Sequence, residues 1–501
     1  MIGPTPRFKE RGTLARGTPN VVLAMTDQQR WDFLRSSGFP LDTMPFLDAL
    51  GDRGLRFDRA YTPMPVCSPA RVSLLTGRYP QATGVRENWA VDQARAPTDL
   101  VAALRGLGYR TLLAGKNHSH LGSAAFERSR SYMHTSGPPD GRSRDQSAFE
   151  RWLEEMNHGV ASKPAPFPLE CQFPHRIVSD AIGFLEEGAD PDRPFFLWLS
   201  FPEPHNPYQV PEPYFSIFAE DQVPERRCGP EAAAAKGPHW RWMRRLWDEK
   251  RPGYDAAWRR YRANYCGMLR LIDDQLRRFV TFLEQTARYE DTLIVSDHGD
   301  YAGDYGLQRK GVGLSECLVH VPMVVSGPGV VAGRNGRDFV SLVDVMPTLC
   351  EAVGAEVPYG VQGRSLWPLA IGGGIPAGEF RSVHASLGIG GLPWGEEERP
   401  PLHFDYAGRT LDELNAVTQS GRLEMVRMDR WKLLFDSLGH GELYDVESDP
   451  AELTDLYDDP DHRTVRQELT EELLRWTVRS QDDLPTARYV PKPAGRGWYM
   501  R

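Results

Sequence analysis

Several features are scarce in this chain, and each scarcity excludes something. No run of residues is apolar and long enough to cross a bilayer, which takes about 20 consecutive apolar residues. The amino-terminal segment MIGPTPRFKERGTLARGTPN carries charge but no apolar stretch, so no secretory leader is expected, and a cytoplasmic location without a membrane partner is. Only six cysteines occur, at 67, 171, 228, 266, 317 and 350, with no CxxC pair among them. That spacing excludes a zinc ribbon and a disulfide scaffold. Positive charge is not in surplus: the net charge is -9, which argues against a nucleic-acid partner. Internal repeats and low-complexity segments are missing as well.

What is present fits an ordinary globular protein. A chain of 501 residues is long enough for one large α/β unit and a smaller one. Short apolar runs at Asn20 to Thr26, Tyr109 to Ala114, Phe195 to Ser200, Thr292 to Ser296 and Val321 to Ser326 read as buried strands. Helical patterns lie between them, at Met44 to Gly54, Thr98 to Gly108, Pro174 to Glu187, Asp255 to Thr286 and Ser341 to Val353. In the longest, Tyr261, Tyr265, Leu269, Ile272, Leu276, Phe279 and Leu283 recur at helical spacing. The alternation predicts an α/β fold, a large, mostly parallel sheet sandwiched by helices. The glycine-rich stretch Gly372 to Gly391 reads as a linker or set of loops. Beyond it, Leu423 to Phe435 and Gly441 to Val446 suggest antiparallel strands, and Thr464 to Arg479 a closing helix. We therefore expect a large N-terminal domain over 1–378, the place for any catalytic site, and a C-terminal α+β subdomain with a short antiparallel sheet over 379–501. Ligands of parallel sheets sit at the carboxyl ends of the strands, where Asp27 and Asp297 fall.

The segment Cys67-Ser68-Pro69-Ala70-Arg71 is followed by VSLLTGRYP. Pro69 suits the first turn of a helix, which places Cys67 at a helix N-terminus, where free N–H groups favour an anion. Standing alone, such a cysteine is more often a buried thiol. The segment, however, resembles the Cys-x-Pro-x-Arg signature of sulfatases, and its continuation does too. The resemblance implies an alkaline-phosphatase-like fold and a type I sulfatase in which a maturation enzyme converts Cys67 to formylglycine. The hydrated aldehyde then has two hydroxyls, one to attack sulfur and one to expel sulfate afterwards. An ordinary serine or thiol has no second hydroxyl.

Asp27-Gln28, in TDQQRWD, and Asp297-His298, in SDHGDYAGDYGLQRKG, resemble the metal motifs of the same family. Alone, each would pass for a turn or cap. Many family members have two aspartates at the first motif, so Gln28 departs from that version while still offering a carbonyl oxygen. The implied metal ligands are Asp27, Gln28, Cys67 in its modified form, Asp297 and His298. Oxygen donors suit calcium, and the imidazole suits manganese; the expected cation is Ca2+, with Mn2+ or Mg2+ as alternatives. Asp300 and Asp304 are candidates for supporting positions.

Gly115-Lys116-Asn117-His118 resembles the family's Gly-Lys-x-His segment, and Pro204-His205-Asn206-Pro207-Tyr208 its Pro-His-x-Pro-Tyr loop. By that match Lys116 bridges nucleophile and sulfate, His118 assists proton removal, His205 binds sulfate or protonates the leaving alcohol, Lys310 contacts sulfate and Arg71 holds the hydrated aldehyde. Fixed cations around a sulfuryl group lower the barrier electrostatically. Single lysines and loop histidines are usually solvated or bonded to backbone; their positions after strand ends give these ones weight. His120, His175 and His320 have no such context. The expected substrate is a small-molecule or carbohydrate sulfate ester. Two other readings remain open: a phosphonate monoester or phosphodiester hydrolase of the same superfamily, and a catalytically silent binding protein. His239 to Trp247 (HWRWMRRLW) reads either as an aromatic, cationic substrate wall or, more commonly, as a helix with buried tryptophans.

Overall fold

The computed structural model describes residues 19–480 apart from 89–90, 158, 188–192, 287, 289–290, 396, 399–403, 407–408, 412–417 and 419. Most of the amino-terminal segment inspected for a leader, and the tail beyond 480, lie outside the described residues. Among those described, no helix is long and apolar enough to cross a membrane.

Eight strands form the main sheet: β1 (Val21–Asp27), β2 (Leu55–Phe57), β3 (Arg110–Gly115), β4 (Arg128–Ser131), β5 (Phe195–Pro204), β6 (Asp291–Ser296), β7 (Met323–Ser326) and β8 (Gly333–Asn335). Their spatial order is β4-β3-β5-β1-β6-β7-β2-β8. The five strands from β4 to β6 run parallel, and β7 is antiparallel to both its neighbours. Strand β1 is apolar on both faces because both are covered. Val22 and Ala24 pack toward the helices α1 (Phe173–Glu186) and α2 (Trp258–Gln285). Val21, Leu23 and Met25 pack on the other face, with Ala70, Leu74, Met346 and Leu349. All seven residues of the expected apolar stripe on α2 are buried. The α/β class and the mostly parallel sheet thus appear as the alternating pattern implied.

Register sets the strand ends level. Thr26 pairs with Ser296, which brings Asp27 beside Asp297. Gly115 pairs with Ser200, which brings Lys116 alongside. Gly115 has φ +117, and a Cβ there would stand 1.7 Å from the Ser200 carbonyl oxygen, so only glycine admits this approach.

The glycine-rich stretch is not merely a linker. Ser382–Gly390 forms β9 of a four-stranded antiparallel sheet with β10 (Gly421–Met428), β11 (Trp431–Asp436) and β12 (Gly441–Asp445). A Cβ at Gly388 would meet the Gly421 carbonyl oxygen at 2.3 Å, so glycine here serves close strand approach and not looseness. The reading Leu423 to Phe435 resolves into two strands, because the chain turns at Asp429, whose φ is 51. The closing helix spans Arg463–Ser480 and packs Leu469, Leu473 and Trp476 on this sheet.

Candidate active site

Cys67 is the first residue of a ten-residue helix, Cys67–Thr76, and is buried. Its Sγ lies 3.2 Å from His298 Nε2 and 3.6 Å from Asp27 Oδ1. One donor atom each from Asp27, Cys67, Asp297 and His298 falls within 4.8 Å of all the others, and all four residues are buried. His298 Nδ1 lies 2.9 Å from the Gly299 carbonyl oxygen, which can only accept. In the neutral ring the proton therefore sits on Nδ1, which leaves the Nε2 lone pair for the cluster, the tautomer a metal ligand needs. Asp297 Oδ1 accepts the backbone N–H groups of Gln28 at 3.0 Å and His298 at 2.9 Å, locking the two strand ends together.

Two carboxylates, an imidazole lone pair and a side chain at a helix N-terminus, all out of water, make a donor set that fits a divalent cation. Burial and Asp27 together push the Asp297 carboxyl up, the signature of two acids sharing one site. Burial would raise Asp27 as well, but Lys116, His205, Arg71 and His134 outweigh it and hold the carboxyl well below its ordinary value. Gln28 adds an amide whose oxygen accepts from Lys310 Nζ at 3.0 Å.

The other expected residues join the same cluster. Arg71, wholly buried, donates from Nε to Asp297 Oδ2 at 3.0 Å and from one terminal nitrogen to the Lys116 carbonyl and Ser200 Oγ, both at 2.8 Å. Lys116 Nζ is bonded to Asp27 Oδ2. His118 stands beside Cys67 with φ 45; burial and then Lys116 hold its pKa down. His205 Nδ1 lies 2.9 Å from the Asn206 carbonyl oxygen, so its neutral ring carries the proton there and leaves Nε2 bare. Burial, with His134 and Lys310, holds its pKa well below ordinary.

Sequence reading missed His134. Its Nε2 accepts from Lys116 Nζ at 2.9 Å, and its ring stacks on His205 with centroids 3.5 Å apart. The residue follows the strand Arg128–Ser131, whose sequence RSRS has no apolar alternation to reveal a strand end. Asn88 was missed too: its Oδ1 caps the helix by accepting the Ser68 N–H at 3.0 Å. Asp300 lies directly behind Gln28. Asp304 lies further off, in an ionic network with Arg30 and Arg262. His320 stacks between Trp31 and Tyr61. Trp240, Trp242 and Trp247 are buried in a core of their own, which corrects the reading of an aromatic wall in favour of packing.

Comparison with known proteins agrees with this geometry. The Sulfatase family model matches residues 19–355. The multifunctional alkaline phosphatase superfamily protein PehA of Trinickia caryophylli is 29% identical, over 95% of this chain and 98% of that protein. An arylsulfatase of Clostridium perfringens is 28% identical, over 89% of this chain and 91% of its own length. Among solved structures, the phosphonate monoester hydrolase of Agrobacterium radiobacter superposes with a TM-score of 0.74 at 26% identity, covering 92% of this chain and 96% of that one.

Proposed function

Since the chain belongs to the sulfatase family of the alkaline phosphatase superfamily, we propose that this sulfuric ester hydrolase works through a formylglycine made from Cys67 and a divalent cation held by Asp27, Gln28, Asp297 and His298. Calcium is the cation proposed first, manganese or magnesium next. The observation that carries the reading is the convergence of Asp27, Cys67, Asp297 and His298 from segments far apart in sequence.

Oxidised and hydrated, position 67 supplies a nucleophilic oxygen and, on the same carbon, a second hydroxyl that releases the product. The cation supplies charge neutralisation and lowers the pKa of oxygens bound to it. This chain's own groups do the rest. Lys116 and Lys310 hold fixed positive charge against the sulfuryl oxygens, where a water-excluded site makes it effective. Arg71 fixes Asp297 and the loop of Lys116, so the cluster is organised before substrate arrives. Nε2 of His205, bare in the free site, would take up a proton when the negative charge of bound sulfate ester lies beside it and pass that proton to the leaving alcohol oxygen, and His118 beside residue 67 takes a proton in the release step.

The substrate proposed is a small-molecule or carbohydrate sulfate ester, after maturation by a formylglycine-generating enzyme. A second reading, hydrolysis of phosphonate monoesters or phosphodiesters, is favoured by Gln28 and by the likeness to the phosphonate monoester hydrolase. The pair Lys116 and His118 favours sulfate.

Two measurements test this. Mass spectrometry of the peptide containing residue 67, after coexpression with a maturation enzyme, is expected to give an aldehyde; thiol alone would end the proposal. Rates on aryl sulfate, aryl phosphonate and bis-aryl phosphodiester are expected to rank sulfate first. A faster phosphonate or diester reaction would install the second reading.

A further inference from the structure

Asp300 is fully buried behind the cluster, and its two oxygens are used differently. Oδ1 accepts the backbone N–H of Ala302 at 2.7 Å and of Arg309 at 3.1 Å, and also the Tyr261 hydroxyl. A backbone N–H can only donate, so the atom at Oδ1 must remain an acceptor. Oδ2 accepts the Tyr208 hydroxyl at 2.8 Å and Gln28 Nε2 at 2.5 Å. The same Nε2 lies 3.1 Å from the Tyr208 hydroxyl.

The backbone of Gln28 is fixed separately. It sits in the left-handed region at φ 72, held by its N–H to Asp297 Oδ1 and by the Tyr265 hydroxyl donating to its carbonyl oxygen at 2.7 Å. What remains free is which end of the side-chain amide faces the site. Because Asp300 and Tyr208 claim the nitrogen, the oxygen is turned toward Lys310. A flipped amide would present N–H to an ammonium on one side and an oxygen to a carboxylate on the other.

We propose that Asp300, with Tyr208, is a positioning residue that turns the Gln28 carbonyl oxygen toward the cation, and that its acceptor Oδ2, which needs a donor opposite it, makes an amide, not a carboxylate, the side chain that fits at position 28. The inference rests on the cation site proposed above. It departs from simple charge counting. By charge alone, a carboxylate at 28 strengthens cation binding; facing Asp300 it sets an acceptor where Oδ2 now accepts the Gln28 N–H, and weakens it.

The test is a double-mutant cycle with D300N, Q28E and D300N/Q28E, reading Ca2+ and Mn2+ affinity by calorimetry on the chelator-stripped full chain, with circular dichroism as the check on folding. In D300N the amide oxygen must serve Ala302 and Arg309, so its NH2 faces Gln28 Nε2 and forces that amide to flip. Loss of an outer partner of this kind weakens metal binding about tenfold or more, and the same is expected of Q28E. In the double variant the amide NH2 introduced at position 300 donates to the carboxylate introduced at position 28, and affinity is expected to return to within about threefold of wild type or to exceed it.

Q28E binding as tightly as wild type, D300N without effect, or a double variant no better than either single one would each overturn the inference while leaving the cation site standing. Wild-type protein that binds neither cation would remove the site itself and the inference with it. If Q28E does not fold, Y208F, which removes the other hold on the amide nitrogen without changing charge, is read beside D300N: weakened cation binding in both supports the inference, and weakening in D300N alone overturns it.

Discussion

The imidazoles of His134 and His205 lie face to face, with centroids 3.5 Å apart and planes inclined by 17°. One ring belongs to a loop after an edge strand, the other to a loop after a central strand. Two imidazolium rings so stacked repel, so the pair holds at most one proton comfortably. His134 Nε2 accepts from Lys116, and a protonated ring could not. His134→Phe keeps a ring for the stack but removes the acceptor, whereas His134→Ala removes both. We expect both variants to lose roughly tenfold in kcat, the scale of one misplaced charged group, and His134→Gln, which restores an acceptor, to recover much of it. Steady-state kinetics on aryl sulfate checks this. Loss in Ala alone, with Phe unaffected, would mean that His134 acts by packing and not through Lys116.

The same pair gives stability a pH dependence. Burial, joined by nearby cations, holds both His134 and His205 well below the ordinary value of 6.5. The unfolded chain then binds more protons than the folded one at pH below 6.5, so folding stability rises with pH up to about 6.5 and is lost on acidification. His134→Phe deletes one such group. Its Tm plotted against pH is expected to be flatter than wild type below pH 6.5 and parallel to it above. Parallel curves throughout would show that His134 titrates normally.

Much of this site was legible because strand ends announce themselves. NVVLAMT running into Asp27 and TLIVS running into Asp297 are apolar runs stopped by an acid, and the sheet register then makes the two acids neighbours. The groups that escaped notice were hidden for physical reasons. His134 follows a strand of arginines and serines at the sheet edge, where no apolar alternation is required. Tyr208 and Tyr261 were read only as the end of a loop motif and as part of an apolar stripe, because it takes the packing of two distant elements to bring both hydroxyls to Asp300. The tandem glycines near 388 read as loop because close strand approach and chain freedom select the same residue.

Gly115 shows how little tolerance the strand ends have. At φ +117, with the Ser200 carbonyl 1.7 Å from where a Cβ would stand, Gly115→Ala must part β3 from β5 or shift Lys116. We expect a cost of about 3 kcal/mol or more, typical of strain combined with overpacking, and a loss of activity larger than the loss of folded protein. Chemical denaturation alongside kinetics separates the two. A variant with wild-type stability would mean that the strands part freely.

Arg71 is buried without exposure and answers both Asp297 and Asp27. Arg71→Ala leaves two buried carboxylates without their guanidinium, at a cost of about 3–5 kcal/mol. Arg71→Lys restores charge but not the planar set of donors that reaches Asp297, Ser200 and the Lys116 carbonyl together. Its stability should recover partly while activity stays low. Adding Ca2+ or Mn2+ is expected to raise the Tm of Arg71→Ala more than that of wild type, because the cation then neutralises acids that the guanidinium no longer covers. Equal shifts would show that Arg71 and the cation do not share these carboxylates.

The tryptophan-rich helix separates packing from recognition. Trp247 has no exposed surface and lies against Arg309, whose guanidinium carbon is 4.7 Å from the ring centroid. Trp247→Ala is expected to cost about 3–5 kcal/mol through the cavity it leaves. Because Arg309 belongs to the loop of Lys310, it should also raise KM. Arg241 and Arg245 of the same helix are exposed. If this helix is core and not a substrate wall, Arg241→Ala/Arg245→Ala changes KM less than about twofold for sulfated mono- and oligosaccharides alike, since exposed charges contribute little. A selective rise in KM for the longer, more highly sulfated substrates would instead make the exposed face of this helix a contact for a polyanionic chain, and would move the substrate class from small esters to polymers.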